Sequence, residues 1–300
     1  MIRATVIVLA RDAEATLPRT LAAIADQEGA PSFEVVVADD GSRDGTAAIA
    51  ERAGARLVRG DANAAVGAAS GALLAFCGAD CVPGPGWLAA GSRALAGADL
   101  VQGQVVPDPR LEPGPFDRSP GVTEEDGLYD SASLFATREL FDRIGGFESA
   151  GGALGGDVWF GWRARRAGAR TAFCAEALSH RPVAPREPLE YLEERTRLRG
   201  VPAMVARLPE LRETLLHHRV FLNGRTMRFD LALGGLVLAA ARRSGLPLVA
   251  AAPYALELRR HAKERAGHDW KAVAGVDAAA DLLGAAALLH GSFEARTPVL

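Results

Sequence analysis

The apolar positions of the N-terminal third fall into short β-branched runs separated by segments of helical period. Residues 5–9, 34–38, 55–59 and 72–77 read as strands. Between and after them, residues 13–27 place Leu17, Leu21 and Ile24 on one helical face, and 46–53, 63–70 and 87–96 also carry helical patterns. Strands that are apolar almost throughout, alternating with helices, predict a mainly parallel sheet covered on both faces, an α/β fold. Residues 99–105 read as extended. A stretch rich in Pro, Gly and acids, 106–127, reads as a long loop. Next come an extended segment at 131–137, a helix at 138–144 and glycine clusters at 145–146, 151–152 and 155–156. A helix at 157–167 and a strand at 170–173 complete the series.

Beyond His180 the pattern changes. Pro182, Pro185 and Pro188 mark a boundary, so the chain is expected to divide into an α/β domain over 1–181 and an α-helical extension over 182–300. Within the extension, the apolar stretches 231–241, 246–256 and 282–289 are the longest, and none reaches the 18 uncharged residues of a spanning helix. They read either as core helices or as a hairpin lying in a membrane interface.

Charge bears on that choice. The chain of 300 residues has a net charge of −3, which argues against a nucleic-acid partner. Yet residues 181–228 hold ten arginines against six acids, beside the apolar stretches, a balance that suits an anionic leaflet. Two lysines against 32 arginines reflect coding bias. Cys77, Cys81 and Cys174 form neither a disulfide framework nor a zinc spacing, so they read as packing residues in a reducing compartment. The apolar run at 4–10 is shorter than a signal peptide requires and reads as a buried strand.

Ligands of open parallel sheets bind beyond the carboxyl ends of the strands. Here those ends carry Arg11-Asp12, then Asp39-Asp40-Gly41-Ser42-Arg43-Asp44-Gly45-Thr46, then Gly78-Ala79-Asp80. Carboxylates gathered without lysines point to a hard divalent cation with phosphate oxygens, whereas a turn and helix cap would account for one of them. No Gly-x-Gly-x-x-Gly follows the first strand, and no P-loop is present. Trp87 and Trp162 read as core, and Trp159 reads equally as core or as a sugar-stacking ring. His217 and His218 read as helix neighbours that point apart. Asp277 and Asp281 read as a solvated stripe.

Four segments in order carry a resemblance: VVVADDGSRDGTAAIA, LLAFCGADCVPGPGWL, SASLFATRELFDRIGGFES, and GGDVWFGWRARRAGARTAF followed by Ser-His. Over about residues 4–181 the chain resembles the family-two glycosyltransferases, which have the GT-A fold. The resemblance implies an inverting, metal-assisted, hexosyltransferase-type enzyme that moves a sugar from a nucleoside-diphosphate-sugar to an acceptor hydroxyl. The acceptor would be a glycan, a lipid-linked molecule or a small molecule, as in cell-envelope or polysaccharide synthesis. It implies a cytoplasmic protein, at most peripheral at the inner face of the membrane. Among site residues, it implies that Asp40 accepts a hydrogen bond from the base and that Leu9 and Arg11 line its pocket, with Asp39 and Asn63 beside the nucleotide. Asp80 and His180 would hold Mg2+ or Mn2+, and Asp157 would be the catalytic base. Gly78 and Gly156 stand where the family has acids, and Ala62 where it has an arginine. The alternative is a degenerate, non-catalytic module that binds a nucleotide sugar or a protein partner.

Overall fold

The computed structural model describes residues 3–117, 121–125, 127–148 and 155–300. The predicted glycine cluster at 151–152 lies outside the described residues. Two compact units emerge, one of Met1–Leu111 with Ser119–Val183, the other of Glu112–Arg118 with Ala184–Leu300.

In the first unit, strands β1 (Ala4–Ala10), β2 (Phe33–Asp39), β3 (Arg56–Arg59) and β4 (Leu73–Gly78) alternate with helices α1 (Leu17–Ala25), α2 (Thr46–Arg52) and α3 (Ala62–Ala68). Then follow β5 (Val82–Pro83), α4 (Trp87–Ala94), β6 (Leu100–Pro107), β7 (Ser133–Thr137), α5 (Arg138–Ile144), α6 (Gly156–Arg166) and β8 (Thr171–Arg181). One sheet runs in the order β3-β2-β1-β4-β7-β6-β8-β5.

Strand β1 shows how the apolar pattern builds the layers. Its successive side chains leave opposite faces of the sheet. Val6 and Val8 join Leu17, Leu21 and Ile24 of α1 and Trp87 of α4 on one side. On the other side Ile7 joins Val66, Leu140, Phe141 and Phe160 of α3, α5 and α6. Both faces are covered, and each large apolar side chain taken fully out of water contributes about 1.5–3 kcal/mol.

The sheet is less uniformly parallel than its sequence pattern predicts. Pairings β3-β2-β1-β4 and β6-β8 are parallel, but β7 runs antiparallel to both β4 and β6, and β5 antiparallel to β8. Reversing β7 brings its start to the same edge as the ends of β4 and β6. Strand β8 is also longer than the predicted 170–173, continuing to Arg181 after an irregularity opposite Gly103 and Val105. Gly103 is needed there: a Cβ would lie 2.1 Å from Ser133 Oγ and 2.6 Å from the Ala177 carbonyl.

The second unit is helical. It comprises α7 (Pro188–Arg195), α8 (Val201–Arg207), α9 (Leu211–Thr214), α10 (Gly224–Arg242), α11 (Ala252–Ala266) and α12 (Trp270–Ala295), with 3-10 turns between several of them. Residues of the predicted loop belong to this unit. The Arg186 amide donates to Asp117 Oδ1 at 2.9 Å, and the Phe116 ring lies 5.4 Å from that of Tyr191. The Asn223 side chain caps α10 by accepting from the amides of Arg225 and Thr226. Gly235 lets α10 meet the turn Leu246–Ala251, since a Cβ would lie 2.6 Å from the Pro247 carbonyl.

Here the expectation for Asp277 and Asp281 is overturned. Asp277 is 0% exposed. It accepts from Tyr191 Oη at 3.2 Å and from Arg265, while Asp281 accepts from Arg225 at 2.7 and 2.9 Å and from Tyr254 Oη at 2.8 Å. Two arginines on other helices supply the counter-charge that water was expected to supply. The buried stripe of α12 is otherwise narrow: Val273, Ala280, Gly284, Leu288 and Gly291. Leu282, Leu283, Leu289 and Phe293 of the same helix point outward and are exposed, Phe293 by 82%. Among the described residues α12 is the one helix long and apolar enough to cross a membrane, with a window of mean hydropathy 1.7. It extends well beyond the uncharged stretch 282–289 and takes in Asp277 and Asp281. His217 and His218, expected on a helix, instead occupy a tight turn, with a β-bridge from His217 to Phe221 and ring centroids 4.1 Å apart.

Candidate active site

Strand directions bring the candidate residues to one edge of the sheet. Arg11 follows β1, Asp40 follows β2 and Asp80 follows β4, and β1 lies between the other two strands. At about 4.8 Å per strand, the ends of β2 and β4 stand roughly 10 Å apart. Reversed β7 delivers Asp130 and Ser131 just before its first residue, and β8 ends with His180 and Arg181.

The loops after β1 and β2 interlock, and this settles which acids remain available. Asp12 has a left-handed backbone, φ 47°, uncommon for a residue with a side chain. Its amide donates to Ser42 Oγ at 2.9 Å, and its carboxylate accepts from the Arg43 amide at 2.8 Å. Asp39 is buried and accepts from the Ser42 amide at 3.0 Å. Asp44 accepts from the Thr46 hydroxyl and amide and from the Glu14 amide, and these bonds hold its pKa below the usual carboxylate value. The expectation that three strand ends each carry a carboxylate into one crevice is therefore corrected for Asp12, whose carboxylate latches the two loops by accepting from the Arg43 amide. Asp40 and Asp80 stay exposed. Each faces a guanidinium: Arg11 lies 3.7 Å from Asp40, and Arg181 Nε lies 3.8 Å from Asp80.

Leu9 is half-buried at the end of β1 beside Gly78 of β4. Asn63 is engaged elsewhere: its amide donates to the Phe147 carbonyl at 2.8 Å and accepts from the Phe147 N–H at 2.9 Å, clamping α3 to the turn after α5. His180 pairs with Val82 of β5 and Val106 of β6, and its Nδ1 is buried without a hydrogen-bond partner.

Asp157 stands in the first turn of α6, after Gly155 in a left-handed conformation, φ 89°. Its Oδ2 accepts from both the N–H of Ser131, at 2.8 Å, and the Ser131 hydroxyl, at 2.7 Å. Neither bond uses Oδ1. Burial raises the Asp157 pKa above its ordinary value; the Ser131 hydrogen bonds oppose that rise, Asp130 adds to it and Arg181 counters it. The 130–133 turn is itself held by Gln102, which accepts from the Asp130 amide at 2.9 Å and donates to the Ser133 carbonyl at 3.0 Å.

Arg181 and Asp130 are two charged residues at the site that the sequence analysis did not assign. Arg181 forks onto Asp130, with Nη1 at 2.9 Å from one oxygen and Nη2 at 3.2 Å from the other. Burial works against its charge, but the bonds to Asp130 outweigh it and keep the guanidinium protonated. The signal was present as an arginine directly after the predicted histidine, but its partner lies 51 residues away along the chain.

Cys77 and Cys81 are buried in the core as packing residues, and burial pushes the Cys81 thiol up to about 12. Trp87 and Trp162 are buried, donating to Ser133 Oγ at 2.8 Å and to the Gly127 carbonyl at 3.1 Å. Trp159 is half-buried in α6, its ring 5.6 Å from the Arg166 guanidinium.

Residues 5–147 match the family model described as glycosyl transferase family 2. Most of the first unit is therefore similar to the family-two glycosyltransferases. A glycosyltransferase, AglE of Haloferax volcanii, is 28% identical, over 51% of this chain and 58% of that relative's length. Among solved structures, the mannosyltransferase PcManGT from Pyrobaculum calidifontis, in complex with GDP-Man and Mn2+, superimposes with a TM-score of 0.65 at 22% identity. That match covers 97% of this chain and 87% of the other. S. aureus TarS 1-349 in complex with UDP-GlcNAc gives a TM-score of 0.51 at 16% identity, covering 99% of this chain and 93% of that one. The first unit thus has the GT-A fold, a mixed α/β sheet flanked by helices, followed in the chain by a helical region.

Proposed function

We propose that the chain is an inverting glycosyltransferase that moves a sugar from a nucleoside diphosphate to an acceptor hydroxyl. The observation that carries this reading is Asp157: a carboxylate at a helix start, fixed through one oxygen by Ser131, with the other oxygen uncommitted to that bond. In the proposed reaction, the acceptor oxygen attacks the anomeric carbon while its proton passes to Asp157, and the bond to the diphosphate breaks on the opposite face. The raised Asp157 pKa makes it a better proton acceptor than an ordinary carboxylate. The positive end of the α6 dipole favours its ionised form. Asp40 and Arg11, exposed at adjacent strand ends, are proposed to receive the base and ribose beside Leu9, with Asp39 shaping the loop beneath and Asn63 fixing the wall formed by α3.

Among the described residues, no group of three or more His, Cys, Asp or Glu side chains is placed to hold a metal ion by itself. The set present fits a Mg2+ or Mn2+ ion shared with a diphosphate. Asp80 offers a half-exposed hard oxygen, His180 an unpartnered Nδ1, and phosphate oxygens the remaining positions. Such an ion, when bound, neutralises charge on the departing diphosphate.

The division of labour we propose assigns transfer to residues 1–181 and membrane docking to the helical extension 182–300. Supporting this, Leu231, Leu236, Val237, Leu246, Val249 and Leu256 are exposed along two helices and the turn joining them, beside exposed Arg242, Arg243, Arg259 and Arg260. That combination suits the anionic inner face of a cell membrane and a lipid-linked or polymer acceptor. Incubating the protein with a panel of nucleotide-sugars, with and without Mn2+, tests transfer. Release of nucleoside diphosphate from one donor, abolished in Asp157→Asn, is the expected result. Nucleotide-sugar binding without turnover would favour the non-catalytic module instead.

A further inference from the structure

Arg181 is held in an unusual position for a crevice expected to receive both a divalent cation and a diphosphate. Its guanidinium is fixed by the Asp130 fork, and its Nε, 3.8 Å from Asp80, is buried without a hydrogen-bond partner. A buried N–H normally finds an acceptor. The side chain is 17% exposed, against 49% for Asp80. Asp130 in turn is anchored by Gln102, and its Oδ1 also accepts from the Ala132 amide at 2.9 Å, so the fork is built on a rigid turn. One fixed positive charge therefore serves two carboxylates, one tightly and one loosely.

We propose that Arg181 is a transferable counter-ion. In the donor-free protein it neutralises Asp80, and the arriving diphosphate takes its Nε–H, freeing Asp80 for the divalent ion. The inference rests on the glycosyltransferase reading above and adds an order to it. A cation approaching Asp80 before the diphosphate meets the repulsion of a guanidinium, whereas a cation arriving with the diphosphate meets a charge already matched. Asp130 is the positioning residue, since it holds the guanidinium in reach of both partners. Gly78 is consistent with this arrangement: a Cβ there would lie 2.7 Å from Asp80 Oδ1, so the loop accommodates Asp80 in its present orientation.

The consequence is a pair of effects of opposite sign, which a merely structural arginine would not produce. Binding to the full-length protein is measured by titration calorimetry, with inorganic pyrophosphate as one probe and Mn2+ alone as the other. Arg181→Gln is expected to weaken pyrophosphate binding without metal about tenfold or more, from the loss of a charge-assisted hydrogen bond. The same variant is expected to tighten Mn2+ binding without pyrophosphate, roughly threefold or more, because the competing cation is gone. Asp130→Asn, which keeps the shape of the turn and loosens the fork, is expected to weaken pyrophosphate binding by a smaller factor. If Arg181→Gln weakens both probes together, or leaves pyrophosphate binding unchanged, the proposal is overturned. Arg181→Lys, which keeps the charge, provides a second variant if the glutamine variant does not fold, and is expected to retain Mn2+ exclusion. Failure of the transfer reading shows separately, as wild-type protein that turns over no nucleotide-sugar while the pyrophosphate and Mn2+ effects persist.

Discussion

The two units place charge and apolar surface in opposite ways. In the α/β unit the apolar side chains fill both faces of the sheet and the carboxylates stand at its edge, where Asp40 and Asp80 meet solvent. In the helical unit, the charged Asp277 is buried, while Leu282, Leu283 and Leu289 of the same helix lie outside. The first arrangement is what water dictates for a folded chain. The second buries ions, which costs several kcal/mol per charge in desolvation and is offset only by close partners, here Arg225, Arg265, Tyr191 and Tyr254. An apolar exterior on an ion-paired interior is stable where the surroundings are apolar too. The contrast is thus the physical basis for proposing that one unit works in water and the other against a bilayer.

The comparison can be broken from either side. The largest effect is expected at the edge of the sheet: Asp157→Asn should lower the transfer rate by roughly 10²–10⁴, the usual contribution of a general base, with the circular dichroism spectrum unchanged. Next, Asp277→Ala should destabilise the helical unit by about 3–5 kcal/mol, because it takes the carboxylate from the Arg265 guanidinium and the acceptor from Tyr191 Oη. Denaturant unfolding checks this, and an effect below 1 kcal/mol would mean that the network is hydrated. On the exterior, Leu236→Glu and Val249→Glu should leave unfolding unchanged yet each reduce co-flotation with anionic vesicles by roughly tenfold, since each removes an apolar side chain from the docking face. Equal flotation of wild type and variants would remove the basis for docking.

The smallest effect concerns pH. A carboxyl with a raised folded-state pKa binds its proton more tightly in the native state, so its ionisation weakens the fold as pH rises through that value. Asp157→Asn should therefore melt at the same temperature as wild type below the ordinary carboxylate pKa and somewhat higher at neutral pH. Melting curves across that range check the sign. Over the same window the transfer rate should fall as the pH drops, since the base must be ionised.

Much of the α/β unit was legible in the chain because its signals are local. The helix Arg138–Ile144 matches its expected bounds residue for residue, set by Thr137 accepting from the Leu140 amide at the start and Gly145 in a left-handed conformation at the end. The expected strand at 170–173 proved far longer, because the rest of β8 is extended only by pairing with β5 and β6. Asp12 looked like a crevice ligand, and only the interlocking of two loops shows its carboxylate on the Arg43 amide. Asp130 sits in a loop without periodic pattern, so nothing near it announces Arg181.

By itself, the sequence determined the alternation of strand and helix, the change of character after His180, and the order of Asp40, Asp80 and Asp157 along the chain. These rest on side-chain period and on motifs a few residues long, which each segment carries wherever it lies. The tertiary structure alone decided the reversal of β7, the fork of Arg181 on Asp130 and the burial of Asp277 among arginines. Each of these pairs groups far apart in sequence, and a charge has no preferred side of a helix until its partner is in place.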